Sequence, residues 1–185
     1  ALGAARVRAF GLNAALDAAL AARDPYDAMR ALLARLPDGD SLHDALVLAV
    51  APAVFTPAVL RRRKGLEALA PDPALPHAAD VLRMIRGAAP TEGEARALDA
   101  YLVTVCDHGL NASTFAARVA ASTRAGLASA VLAGLSTLKG PLHGGAPGPV
   151  IDMLDAIGTA DNAVPWLEAA LDAGERLMGF GHRIY

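Results

Sequence analysis

An all-α fold follows from three features of this sequence. Alanine, leucine and arginine recur along most of the chain, whereas β-branched residues are scarce and aromatics make up only 4%, so helix preference is high almost throughout. No stretch alternates apolar and polar residues with the period of two that a half-buried strand requires. Proline and glycine sit singly at helix-boundary positions and divide the chain into segments of helical length.

Residues 2–22 read as one helix or two, with Gly11 and Asn13 marking a break. Asp24-Pro25 sets a capping acid before a proline at the first helical position. The helix it opens ends near Leu36, ahead of Pro37, with Met29, Leu32, Leu33 and Leu36 on its apolar face. Asp38-Gly39 is a turn. Ser41 caps a segment in which Leu42, Ala45, Leu46, Ala49 and Val50 keep the helical period as far as Pro52. Thr56-Pro57 repeats the device of cap and proline and starts a separate helix reaching about Ala70. The next runs from about Pro76 to Arg86, closed by Gly87, with His77 in its first turn.

Thr91 and Glu94 form a capping box, so a helix starts there and leads Asp107 and His108 into the turn before Asn111. Ala95, Leu98, Leu102 and Val105 line one of its faces. Residues 112–138 are expected as one uninterrupted helix, with Phe115, Val119, Leu127, Val131, Leu135 and Leu138 along one side and small residues elsewhere. A helix this apolar either lies centrally in a bundle or packs across a subunit interface. Two shorter helices, Pro149–Ile157 and Ala163–Ala173, end at Gly158 and Gly174, and Pro147 with Gly144, Gly145 and Gly148 makes a hinge before them.

With 185 residues, 54% of them hydrophobic, the chain suits one domain or a domain with part of another. A net charge of −2 and the lack of a basic stripe interleaved with aromatics argue against nucleic acid as a partner. Arg61, Arg62, Arg63 and Lys64 are the local exception: a solvated helix end favoured by the helix dipole, or a docking point for an anionic ligand. The single cysteine, Cys106, excludes an internal disulfide and is expected as inert core in a reducing compartment. With no secretory leader and no run of roughly 18 apolar residues, the expectation is a soluble cytoplasmic protein with no membrane partner.

Three of the five histidines stand beside glycines in turns at helix ends, where backbone approaches a ligand closely and an imidazole can enter a cleft. They lie in DHGLNAST (His108), LKGPLHGGA (His143) and MGFGHRIY (His182). In this order and spacing the three motifs resemble the histidine signatures of the citrate synthase family. The resemblance covers roughly residues 40 to 185 and is weak upstream of residue 40. It implies a large helical domain over residues 1–145, the start of a smaller mobile helical domain over 146–185, and a homodimer with helices of this region packed across the two-fold.

The chemistry implied is that of an acyltransferase of the tricarboxylic acid cycle, which joins the methyl carbon of acetyl-CoA to the ketone of oxaloacetate and releases citrate and CoA. Such a reaction needs a base for a very weakly acidic proton and a donor for the developing enolate oxygen. By resemblance His143 is the donor and His182 is the catalytic partner that polarises the oxaloacetate ketone. The free N–H groups at the start of the helix after His143 disfavour a positive charge there, so a neutral imidazole is expected. His108 and Asn111 hold oxaloacetate, and Met178, Gly179, Phe180 and Gly181 form the CoA-binding loop. Arg183 carries no implied role, and His77 belongs to a segment that approaches the active-site side in such enzymes. Neither a metal nor a cofactor beyond the acyl-CoA substrate is implied.

The family's general-base aspartate and most of its carboxylate-binding arginines lie beyond the third motif, and no motif supports Asp152, Asp155 or Asp161 as a substitute. The 185 residues alone are therefore expected not to turn over. Two other readings are a 2-methylcitrate synthase using propionyl-CoA with the same histidines, and a non-catalytic module for dimerisation or CoA binding.

Overall fold

A computed structural model describes residues 1–12, 18–107, 109–145 and 147–181. Among these the regular structure is helical: α1 (Leu2–Leu12), a 3-10 turn (Ala18–Ala21), α2 (Pro25–Leu33), α3 (Leu42–Arg63), α4 (His77–Arg86), α5 (Glu92–Val105), α6 (Ala112–Ser122), α7 (Leu127–Leu138), α8 (Pro147–Ile157), a second 3-10 turn (Ala160–Asn162) and α9 (Ala163–Asp172). The chain forms two compact units, Ala1–Thr137 and Leu138–Tyr185.

The first unit is built around α3. Val47, Leu48, Val50, Ala51, Val54, Phe55, Ala58 and Val59 on this helix are buried against Ala5 and Ala9 of α1, Ala28, Leu32 and Leu33 of α2, and Ala128 of α7. Partners this small bring helix axes close, as the alanine-rich composition leads one to expect. Gly3 extends the effect to α1 and the loop before α4: a side chain there would run into the backbone of Pro73.

Local signals fix most helix ends. Asp24 accepts from the Tyr26 amide at 2.8 Å ahead of Pro25. Ser41 caps α3 and, together with Asp44, completes a capping box. Gly87 closes α4 at φ 83°, in the left-handed region that glycine occupies without strain. Thr91 and Glu94 form the expected reciprocal box on α5. Gly158 and Gly174 close α8 and α9, each at φ 73°.

Four expectations are corrected. The stretch expected as two helices separated near Thr56 is the single 22-residue α3, with Pro52 and Pro57 inside it. Each proline removes one helical N–H, a defect that usually ends a helix, but here Val54, Phe55, Ala58 and Val59 on both sides are buried and hold the helix together. As one helix, α3 is long and apolar enough to cross a membrane, yet half of its apolar window is buried within the protein, as in the central helix of a folded domain.

The helix expected over 112–138 is broken into α6 and α7. Arg124 at φ 58° and Gly126 at φ 98° reverse the backbone between them. The first turn of α7 then takes its acceptors from the α2–α3 loop: Gly39 O from Leu127 N at 3.2 Å, and the Asp38 carboxylate from Ser129. Gly134 still serves close approach, since a Cβ there would lie 3.4 Å from Ser113 O and 3.5 Å from the Ala117 Cβ on α6.

Cys106 is exposed at the end of α5, not in the core. Of the basic cluster, Arg61 is buried and its Nε donates to the Glu67 carbonyl, tying down the turn after α3, whereas Arg62, Arg63 and Lys64 are solvated.

Helices α5 and α6 bury no residue in the single chain. Tyr101, Val103, Phe115 and Val119 are at least half exposed on them. In the second unit Ala170 is the buried residue of α9, and Ile151, Leu154, Val164 and Leu171 are exposed.

Candidate active site

His143 lies in the five-residue turn 141–145 between α7 and α8. The turn is wound by short backbone hydrogen bonds: His143 N donates to Gly140 O at 3.0 Å, Gly144 N to Leu138 O at 3.0 Å and Gly145 N to Gly140 O at 3.4 Å. Two glycines make this winding feasible. A Cβ on Gly144 would collide with the Leu138 carbonyl, and one on Gly145 would meet the Pro141 backbone at 3.0 Å. The imidazole is thereby carried on a tight, backbone-fixed turn and is itself half-buried, beside an almost fully exposed Leu142. A backbone fixed this way fixes the point from which the His143 side chain projects, so less freedom is lost when the residue meets a ligand.

His108 lies outside the described residues, but its neighbours define the turn. Gly109, at φ 62°, donates its amide to Asp107 Oδ1 at 2.9 Å, and Asn111 N donates to Gly109 O at 3.0 Å. Asn111 then caps α6, its Oδ1 accepting from Thr114 N at 3.0 Å. With the oxygen committed to the cap, the side-chain NH₂ of Asn111 is what this residue can offer a ligand, and an amide NH₂ offers donors suited to a carboxylate or ketone.

His182 and Arg183 also lie outside the described residues. Of the segment before them, Met178 and Gly179 form a turn, and Gly179 and Gly181 take φ values of 85° and 75°, in the left-handed region. A Cβ on Gly179 would approach Val150 of α8 at 3.2 Å, so glycine lets this loop lie against α8. Phe180 is 64% exposed. The structure therefore places the loop of Met178, Gly179, Phe180 and Gly181 in the same unit as the His143 turn. His77 has a different setting, in a buried ionic network with Arg6 and Asp80. The sequence marks Asp38 only as part of a turn and Arg6 not at all; each acts on a segment far along the chain, which no local pattern reports.

Among the described residues the fold is helical, with a glycine-wound turn carrying His143 between α7 and α8 and an asparagine cap on α6, which places the chain in the class of all-helical proteins with glycine-bracketed turns at helix ends. The sequence model for the citrate synthase C-terminal domain matches residues 3–185, and the chain belongs to the citrate synthase family. It is similar to citrate synthase of Haloferax volcanii, at 46% identity over 140 residues that cover 75% of this chain and 37% of that protein. It is also similar to 2-methylcitrate synthase of Mycobacterium tuberculosis, at 39% identity over 169 residues, 87% of this chain and 43% of that one.

Among solved structures, citrate synthase of Thermotoga maritima matches all of this chain with a TM-score of 0.73 and 30% identity, over 50% of its own length. Citrate synthase of Thermoplasma acidophilum, solved with carboxymethyl coenzyme A and oxaloacetate, gives 0.76 and 28%, over 52% of its length. The chain thus spans about half the length of these solved proteins and less of the curated relatives it matches.

Proposed function

We propose that this chain supplies three histidine motifs of an enzyme that condenses acetyl-CoA with oxaloacetate. The observation that carries the reading is the His143 turn, in a chain matching the citrate synthase family over residues 3–185. In it, His143 donates to the thioester oxygen as negative charge gathers there, and His182 donates to the oxaloacetate ketone, so that the enol carbon meets a more electrophilic partner. His108 and the Asn111 NH₂ hold the oxaloacetate carboxylates, while Met178, Gly179, Phe180 and Gly181 receive CoA. The exposed apolar faces of α5 and α6 support a homodimer in which they are covered, and the exposed thiol of Cys106 suits a reducing cytoplasm.

The test is CoA release from acetyl-CoA and oxaloacetate by the polypeptide carrying this chain, against its His143→Ala variant. Loss of one preorganised donor should lower kcat by about a hundred- to a thousandfold; an unchanged kcat overturns the role of His143. The likeness to a 2-methylcitrate synthase favours a second reading, with propionyl-CoA as the acyl donor. One methylene changes binding in an apolar pocket by only about 1–3 kcal/mol, so comparing kcat/KM for the two acyl-CoAs decides. Binding of CoA or oxaloacetate without turnover would point instead to a non-catalytic module.

A further inference from the structure

Arg6 of α1 is 1% exposed, and its guanidinium is spread over four partners. Its Nε donates to Asp80 Oδ2 at 2.8 Å, and its Nη2 donates to the carbonyls of Asp72 at 3.0 Å and Leu75 at 2.9 Å. Its Nη1 faces His77 Nδ1 at 3.1 Å. A guanidinium carries donors only and stays protonated, so this contact is a hydrogen bond only if Nδ1 is the bare acceptor. The ring must then hold its proton on Nε2.

We propose that His77 is a proton-sensitive latch on α1: the neutral ring accepts from Arg6, and protonation of Nδ1 replaces that hydrogen bond with two facing cations and loosens α1 from the segment 72–80. The surrounding charges do not offset the change. Asp80, on the same helix as His77, already accepts from Arg6 and from Arg83, whose Nε and Nη2 lie 3.0 and 2.7 Å from its Oδ1. Its one negative charge is therefore shared between two guanidiniums. Asp99 of α5 also favours the protonated ring but is itself exposed and screened. Asp72, on the loop, presents its carbonyl to Arg6 while its side chain accepts from the Ala74 amide.

Burial, and then Arg6, push the His77 pKa below its ordinary value, against the smaller pull of Asp80 and Asp99. The folded ring thus binds a proton less readily than the unfolded one. Its contribution is present above the unfolded value of about 6.5 and is lost as pH falls through the folded value.

Amide hydrogen exchange of the full chain, corrected for intrinsic rates, tests this in peptides covering α1. Opening takes up at most one proton, so protection of α1 should fall by up to about tenfold between pH 7.5 and 5.5. His77→Asn keeps an acceptor that cannot be protonated and should hold the same protection at both values. Ring ¹⁵N shifts of the unaltered chain at pH 7.5 should report the Nε2–H tautomer. Equal protection of α1 at both pH values, an unchanged acid response in His77→Asn, or a proton on Nδ1 at pH 7.5 would each overturn the latch.

Discussion

Asp38 and Ser129, 91 positions apart in sequence, are joined by two hydrogen bonds: Oδ1 of Asp38 accepts from the Ser129 amide at 2.9 Å and Oδ2 from its hydroxyl at 2.7 Å. A loop between α2 and α3 thereby caps α7, doing for a distant helix what an N-cap does for its own. Asp38→Ala should leave the first-turn amides of α7 exchanging faster while α6 keeps its protection. Uniform loss across both helices would contradict a local cap. The same contacts, the Ser129 hydroxyl first and its amide second, hold the Asp38 carboxyl below the usual range. Ser129→Ala should accordingly raise its NMR titration midpoint.

The Arg6–Asp80 pair is enclosed, with side chains 1% and 0% exposed. Asp80→Ala leaves two guanidiniums without their shared carboxylate, and breaking a buried pair in this way costs about 3–5 kcal/mol. Urea denaturation should show that loss. A change below about 1 kcal/mol would mean that water takes over the role of the carboxylate.

Glu94 is held down to about 2 by the Thr91 amide first, then by hydrogen bonds from Arg86 and the Thr91 hydroxyl. Because its folded value lies below the unfolded one of about 4.3, its capping contribution is present above that value and is lost as pH falls towards 2. Carboxyl ¹³C titration should place the midpoint near 2. In Thr91→Val the midpoint should move only partway up, since the amide, the larger influence, remains.

Phe55 and Phe115 should respond in opposite ways to truncation. Phe55, at 1% exposure in the α3 core, should lose about 3–5 kcal/mol of stability as alanine. Phe115 is 61% exposed on α6, and its truncation should change single-chain stability by no more than about 0.5 kcal/mol. If a second copy covers α6, Phe115→Ala will instead shift the sedimentation profile towards monomer.

What could be read from the sequence was local. Caps at Asp24, Ser41 and Thr91 and glycine stops at Gly87, Gly158 and Gly174 act within a few residues of themselves, so their chemistry is visible in a short window. The sequence misled where packing or a remote partner decides. Pro52 and Pro57 carry a helix-breaking signal that the burial of α3 overrides. The break before α7 is stabilised by Asp38, which no window around residue 125 contains. The His143 turn was legible because its glycines and proline sit beside the histidine, and the structure adds the reason: Gly144 must pass close to the Leu138 carbonyl.

The two prolines within α3 also bear on the order in which this protein folds. A helix that forms early does so from its own hydrogen bonds, and nucleation is already unfavourable for a chain with every donor present. With donors missing at Pro52 and Pro57, α3 has little standing of its own before its neighbours arrive. The proline-free, box-capped α5 can appear in a fluctuating chain. The central helix of the first unit is therefore expected to be a product of collapse, with φ-values along α3 no higher than those of the α1 and α2 residues that pack on it.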